Sequence, residues 1–438
     1  MRPLAELFEG CSTMKLTRYQ VTVVAILAFL QFTVVLDFMI LSPLGALLMK
    51  AMRVTPAQFG LVVSAYALSA AVSGLLAAGF ADRFDRKKLL LFFYCGFVAG
   101  TFLCGAAWSY PSLLIARMVT GLFGGVIGSI SLAIVADLFP FEARGRVMGV
   151  VMSAFSASQV LGIPVGLLLS NAFGWHAPFL MIAVVSSAVG VVIAVRLRPI
   201  DEHLKKPSLR NPVVHLLGTL VRRRYQWGLA STMLLAVGGF MLMPFGSAFS
   251  VHNLGIPLEK LPMIYMATGL ATIAAGPVLG RLSDRLGKYP TFVGGSAFAV
   301  ALVVYYTHLG TTPIWWVIAL SIALFTAITA RMVSSQALTS AVPEPADRGA
   351  YMSISASLQQ LAGAVASSAA GLIVTEGSGG RLEHYDRLGY VVSTAIGLTV
   401  LFMHKINRLV RGGAYASPAR ATGAEAVRAS SAVTDGAG

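Results

Sequence analysis

Twelve times along this chain an apolar run of about 20 residues or more passes with very few charges in it. Such a run is long enough to cross the hydrocarbon core of a bilayer as a helix. In lipid every backbone N–H and C=O must be satisfied inside the segment or inside a closed barrel. The weak two-residue alternation of a membrane barrel is absent, so helices are predicted throughout. The runs lie at roughly 20–48, 57–80, 89–108, 112–137, 146–172, 176–196, 226–250, 260–280, 290–308, 313–341, 350–375 and 388–404. The predicted fold class is an all-α membrane protein with twelve transmembrane helices.

Composition agrees where it can discriminate. Only 12% of the 438 residues are charged, against about a quarter in soluble domains. The net charge is +15, scattered over short loops without the aromatic-basic patch that nucleic acid requires. The excess therefore reads as membrane topology, because lysine and arginine collect in cytoplasmic loops. With the N-terminus inside, most basic residues fall on inside loops, and only Lys50, Arg53, Lys260, Arg381 and Arg387 fall outside. Both termini are thus expected in the cytoplasm, with the chain in a bacterial inner membrane. The first apolar segment runs well past a signal-peptide core, and no small-residue cleavage site follows it. The three cysteines have no metal spacing and suggest no disulfide framework. No GxxxxGK[ST], HExxH, GxSxG or paired-cysteine motif occurs, so no enzyme, ATP-driven pump, metal or cofactor is expected.

A proline-rich, basic stretch at 197–225 divides the spans six and six. It reads as a cytoplasmic linker between bundles at 1–196 and 226–405, its "VVHLLGTL" piece lying along the membrane surface. The polar tail at 406–438 reads as disordered and cytoplasmic. The two halves echo each other. "AAGFADRFDRKKLLLFF" (77–93), between spans 2 and 3, returns as "GPVLGRLSDRLGKYPTF" (276–292), between spans 8 and 9. "EARGRVMG" (142–149) before span 5 returns as "ADRGAYMS" (346–353) before span 11. Two six-helix halves related by duplication are a transporter architecture.

At these residues the chain resembles the major facilitator superfamily, and within it the twelve-span drug:proton antiporter branch. That branch carries G-x-L-a-D-R-x-G-R-K between spans 2 and 3, matched here by "AGFADRFDRKK". Ala78 stands where glycine is usual and Asp85 replaces the later glycine, whereas the second copy keeps Gly280 and Gly287. An arginine-glycine pattern on span 4 is matched by "ARMVTGLFGG" (116–125). A glycine-proline pattern on span 5, associated with export, is matched in part by "LGIPVGLLL" (161–169). The resemblance implies two pseudo-symmetric six-helix bundles, a cavity between them from spans 1, 4, 7 and 10, and a monomer working by alternating access. Small-molecule substrate, protons and the lipid bilayer are the implied partners.

Individual residues carry specific expectations. Asp82 in the first turn, with Arg83, Arg86 and Lys87 beside it, would dock its carboxylate on the start of span 11 near Arg348. Asp284, with Arg285 beside it, would dock its carboxylate on the start of span 5 near Arg144. Helix N-termini present unpaired N–H groups and partial positive charge, so each contact is worth about 1–2 kcal/mol if partly buried. Together these residues read as a conformational latch; the alternative is a positive-inside loop with incidental carboxylates. Asp37 sits deep in span 1, where a charge costs roughly 2.5–3.5 kcal/mol on insertion scales. Burial disfavours a carboxylate's charged form, so such a group can exchange a proton near neutral pH. Asp37 reads as a proton carrier or substrate contact, or else as a structural carboxylate paired permanently with an arginine. Arg117 in span 4 is the partner class; it stays charged, and proton uptake by Asp37 would weaken their attraction. Arg331 in span 10 reads as a cavity or inter-span contact. Gln31, Gln159 and Gln336, with Gln359 and Gln360, supply uncharged hydrogen-bonding groups at membrane depth that line a cavity or bond across helices. Gly162 and Gly166 would let spans approach closely and Pro164 would bend span 5. Phe240, Met241, Met243 and Phe245 on span 7 offer apolar cavity surface or plain packing.

The expected function is proton-coupled secondary transport, exporting a drug-like compound, sugar or metabolite. The alternatives are proton-driven uptake of a sugar or metabolite, and a non-transporting membrane receptor or scaffold.

Overall fold

The computed structural model describes residues 16–201, 204, 212–344, 347–377 and 380–411. Its helices are α1 (Arg18–Ile40), α2 (Gly45–Met52), α3 (Pro56–Phe80), α4 (Arg86–Gly105), α5 (Tyr110–Leu138), α6 (Phe141–Ala157), α7 (Ile163–Phe173) and α8 (Ala177–Arg196). The second half contains α9 (Pro212–Val221), α10 (Arg223–Leu242), α11 (Gly246–His252), α12 (Leu261–Leu286), α13 (Lys288–Thr307), α14 (Ile314–Thr339), α15 (Arg348–Ile373) and α16 (Tyr385–Arg411). Spans 1, 5 and 7 of the sequence are the pairs α1–α2, α6–α7 and α10–α11; every other span is one helix.

Among the described residues eleven segments are long and apolar enough to cross a membrane. The expected twelfth coincides with α15, which has 26 residues but is less apolar, because serines and Gln359-Gln360 interrupt it. Its polar groups are spent on packing: α15 runs between α3 and α10, so it needs less lipid-facing surface than its neighbours. The chain is therefore a multi-pass helical membrane protein. Helix starts follow local chemistry. Thr17 with Gln20, Thr55 with Gln58 and Ser109 with Ser112 form reciprocal capping boxes that satisfy the first N–H groups of α1, α3 and α5.

The breaks fall at prolines. Residues 41–44, around Pro43, separate α1 from α2 by turns. In the other half Pro244 sits in the 3-10 turn Met243–Phe245, between α10 and α11. A third irregularity is the π turn Ser158–Gly162, just before Pro164. Proline lacks an N–H and its ring crowds the carbonyl four residues earlier, and a widened turn relieves that conflict.

The end of the bundle that carries α1's start and α16's finish is called the terminal end here, and the other the far end. Toward the far end both halves share one apolar core, from Leu36, Phe59 and Phe179 to Phe245, Phe249 and Leu388. Toward the terminal end each half keeps a core of its own: Leu27, Tyr94, Ile134 and Val147 in the first, Tyr225, Phe292, Tyr351 and Met403 in the second. The apolar core is shared at the far end and divided toward the terminal end.

The seam between the halves is made of small residues. α3 and α15 run antiparallel in contact from Gly60, whose added Cβ would lie 2.7 Å from the Ser367 carbonyl oxygen, to Gly74, which would meet Ser357 Oγ at 3.0 Å. Those contacts are separated by roughly 21 Å of helix. Ser368 Oγ donates to Ser64 Oγ at 2.8 Å within the same seam. At the far end the broken helices interlock: Ser42 Oγ donates to the Met243 carbonyl, and Ser247 Oγ donates to the Ser42 carbonyl at 2.8 Å. A two-stranded hairpin, β1 (Thr375–Glu376) and β2 (Leu382–Glu383), precedes α16. The Asn253 side chain clamps it through both backbone groups of Leu382, each at 2.9 Å.

In the expected linker, α9 is a helix packed against α15, α10 and α3. α16 continues to Arg411, past the expected start of the tail at 406, and residues 412–438 lie outside the described residues.

Candidate functional site

Asp37 and Arg117 meet. Arg117 Nη1 donates to Asp37 Oδ2 at 2.8 Å and to the Asp37 backbone oxygen at 3.4 Å. Their side chains are 0% and 1% exposed. Two further helices of the first half complete the setting. Thr101 of α4 donates its hydroxyl to Asp37 Oδ1 at 3.1 Å. Tyr66 of α3 lies under the guanidinium, 4.6 Å from ring centroid to Cζ, and itself packs against Phe38, which touches Phe240 of the second half. Close helix approach makes this geometry: a Cβ on Gly121 of α5 would fall 2.3 Å from the Tyr66 carbonyl oxygen. Arg117 Nε is buried without a hydrogen-bond partner. The pair is an ion pair sealed in protein, and protonation of its carboxylate would leave the arginine uncompensated. Tyr66 and Thr101 were not foreseen; neither carries a signal in a single sequence.

The first-half turn is braced internally. Arg86 Nε donates to Asp137 Oδ2 at the end of α5 at 3.1 Å, and its Nη1 donates to the Ala81 carbonyl at 3.0 Å. Lys87 Nζ donates to the Ala194 carbonyl at 2.8 Å. Asp85, the departure from the family pattern, caps α4 by accepting from the Lys87 and Lys88 N–H groups at 2.7 and 3.1 Å. Arg83 is exposed, and the Asp82 side chain lies outside the described residues. Asp137 ends "AIVADLFP", an acid in an apolar run that sequence reasoning could have flagged.

The other residues expected to form the latch have their partners within their own halves. Arg144 donates to the Phe139 and Ala136 carbonyls of its own half, at 2.9 and 2.6 Å. Asp284 pairs with Lys288 one turn on and is 69% exposed. Arg285 and Arg348 are exposed. Beside Arg348, Asp347 is buried and held by Arg222 and by Tyr225 Oη, the latter at 2.7 Å, with His215 of α9 at 3.7 Å. That cluster joins α9 to the start of α15 and was not anticipated.

Arg331 is buried and donates from Nε to Ser296 Oγ of α13 at 3.1 Å. Gln31 and Gln159 each bury a side-chain oxygen without a partner, as does Gln360, while Gln336 is exposed. Gln31 and Gln159 flank one inter-helix contact, where Ser158 Oγ donates to the Phe32 carbonyl at 3.0 Å. Gly162 and Gly166 bring α7 against α1: added Cβ atoms would meet Leu36 and Ile40, each at 2.6 Å. The same π turn contacts the other half, because a Cβ on Gly269 of α12 would lie 2.8 Å from the Val160 side chain. Met241 and Phe245 are buried in the shared core, with Phe240 and Met243 packed against it.

A sequence profile described as the Major Facilitator Superfamily matches residues 27–367. The chain is 28% identical over 279 residues to an uncharacterized MFS-type transporter, YceJ, of Bacillus subtilis, covering 62% of this chain and 69% of that one. It is 25% identical over 363 residues to a probable sugar efflux transporter of Helicobacter acinonychis, covering 81% and 86%. Among solved structures it resembles a bacterial homolog of the human lysosomal transporter Spinster in an inward-facing, occupied conformation. The TM-score there is 0.72 at 15% identity, over 90% of this chain and 98% of that one.

Proposed function

The chain belongs to the major facilitator superfamily, and on that premise we propose that it is a proton-coupled secondary transporter exporting a small organic molecule by alternating access. The observation that carries this reading is the Asp37–Arg117 pair, wholly buried and charged inside the first half. Buried ion pairs are often no more stabilising than well-packed apolar residues, so retaining one at membrane depth points to use rather than to stability. Asp37 carries the proton; Arg117 holds it in place and responds to its charge through Tyr66, whose neighbour Phe38 touches Phe240 across the seam. Gln31, Gln159, Gln336 and Arg331 serve the substrate path.

The two bundles, the first through 196 and the second from 226 through the end of α16, rock about the seam of α3 with α15 and of the π turn with α12, while the linker 197–225 and the tail beyond α16 stay in the cytoplasm with both termini. In that orientation the structure is the cytoplasm-open state, and the far-end interlock of Ser42, Met243 and Ser247 is the closed outer gate. Asp82, Arg83, Arg86, Lys87 and Arg348, with Asp284, Arg285 and Arg144, form the latch of the opposite state. Arg144 and Asp284 are apart here, as an open latch requires. Gly162, Pro164 and Gly166 keep α7 close on α1 and support export, as does the relative named a probable sugar efflux transporter. The protein works as a monomer in a bacterial inner membrane, and drug-like compounds and sugars are the substrate classes to screen.

The test is transport in everted vesicles from a host lacking its own exporters. An imposed acid-inside gradient is expected to drive a screened compound inward, and a protonophore to abolish it. Movement of the opposite sign under the same gradient would identify an importer. Accumulation indifferent to the gradient would end the proton-coupled reading.

A further inference from the structure

Buried arginines in this molecule come with carboxylates: Arg117 with Asp37, Arg86 with Asp137. Arg331 does not. It is 5% exposed, yet among the described residues no carboxylate lies within 4.0 Å of it. Its protein contacts are Ser296 Oγ at 3.1 Å and the Phe292 ring, 5.7 Å from centroid to Cζ. Among the described residues Ser296 is its one hydrogen-bonded side chain. Arg117 Nε is sealed in protein, but the two terminal nitrogens of Arg331, which have no protein partner, keep some accessible surface.

A guanidinium stays charged and presents paired donors matched to an oxyanion. We infer that Arg331 and Ser296 form a site for the carboxylate of a small organic anion, held between α13 and α14. A free small molecule is favoured over a lipid headgroup by depth. Arg331 lies about 12 Å along α14 from its terminal-end finish, below the level at which headgroup phosphates sit. The inference deepens the transport reading and rests on it: the exported molecule, or a co-substrate, carries a carboxylate.

The test is binding, not transport, so its failure leaves the proton-coupled reading standing and the converse also holds. Purified protein in detergent is titrated with benzoate and acetate, and with benzamide and acetamide as neutral counterparts, while thermal unfolding is followed. The carboxylates are expected to raise Tm and the amides to leave it unchanged. Arg331→Met is expected to unfold at a higher temperature than wild type without ligand, having lost an uncompensated charge, and to bind benzoate at least about tenfold more weakly. Arg331→Lys keeps the charge but loses the fork, and is expected to bind about tenfold more weakly; it serves as the second variant if Arg331→Met does not fold. A wild type indifferent to carboxylates, or variants that respond as wild type does, would overturn the site. If phosphatidylglycerol alone stabilises the protein in an Arg331-dependent way, the small-molecule assignment falls and the anion is a headgroup.

Discussion

Replacing Asp37 and Arg117 singly and together separates a structural pair from a working one. Both side chains are all but inaccessible, at 0% and 1%, so neither charge is screened by water when its partner is lost. Breaking such a pair from one side costs about 3–5 kcal/mol. Asp37→Leu strands the guanidinium, whose Nε already lacks a partner; Arg117→Met strands a carboxylate left with Thr101 alone. In Asp37→Leu/Arg117→Met no charge remains to be compensated, and apolar replacements of similar volume are often neutral. The cost falls to roughly 1 kcal/mol, for the acceptor Thr101 loses. Thermal unfolding in detergent should therefore show two unstable single variants and a double variant near wild type. Gradient-driven transport in vesicles should show the reverse pattern for the double variant: well folded, yet unable to follow a pH gradient. A double variant that transports in response to pH as wild type does would refute the assignment of Asp37 as the proton carrier and leave the pair a packing device.

Three further outcomes are expected. Asp284→Asn should insert and unfold as wild type, since the carboxylate is exposed on α12, while transport falls several-fold; unchanged transport measured in vesicles would remove Asp284 from the latch. Ser64→Cys/Ser368→Cys, at positions whose hydroxyl oxygens lie 2.8 Å apart, should cross-link on oxidation and halt transport reversibly, as read by gel mobility and by recovery in reductant. Gly162→Val places branched carbons where a single Cβ already meets Leu36 at 2.6 Å, so stability should drop by about 1–3 kcal/mol and transport with it; a thermal-unfolding curve that overlays wild type would show that α1 and α7 are not tightly packed.

The membrane class, the helix order and the bend in span 5 were legible because each has a one-dimensional cause. Apolar run length sets a crossing, and Pro164 cannot supply an intrahelical N–H. The break at Pro244 was not foreseen, and Pro277 inside α12 shows that a proline alone does not decide one. The duplicated Asp-Arg turns disclosed the two halves for the same reason. α15 was the hard case. Its serines and glutamines lower its apolarity, and only its packing between α3 and α10 makes a polar composition tolerable. At the candidate site the charges announced themselves, since Asp37, Arg117 and Arg331 are costly wherever they sit in a span. Their surroundings did not. Tyr66 and Thr101 look like ordinary core residues, and Asp137 and Asp347 gained meaning only when Arg86 and Arg222 were found against them.

Length, hydropathy and repetition, then, determined that this chain crosses a membrane many times as two related sets of helices, because the bilayer penalises each unsatisfied backbone group separately and locally. Which charges meet was decided in three dimensions. Asp37 and Arg117 stand 80 residues apart in the chain, and only glycine-mediated contact of α5 with α3 seats the arginine over Tyr66, within reach of α1. The same geometry left Arg331 with one hydroxyl and no carboxylate, a distinction no spacing in the sequence encodes. It arises because helix rotation about its own axis, set by small-residue packing, chooses which neighbour each side chain faces.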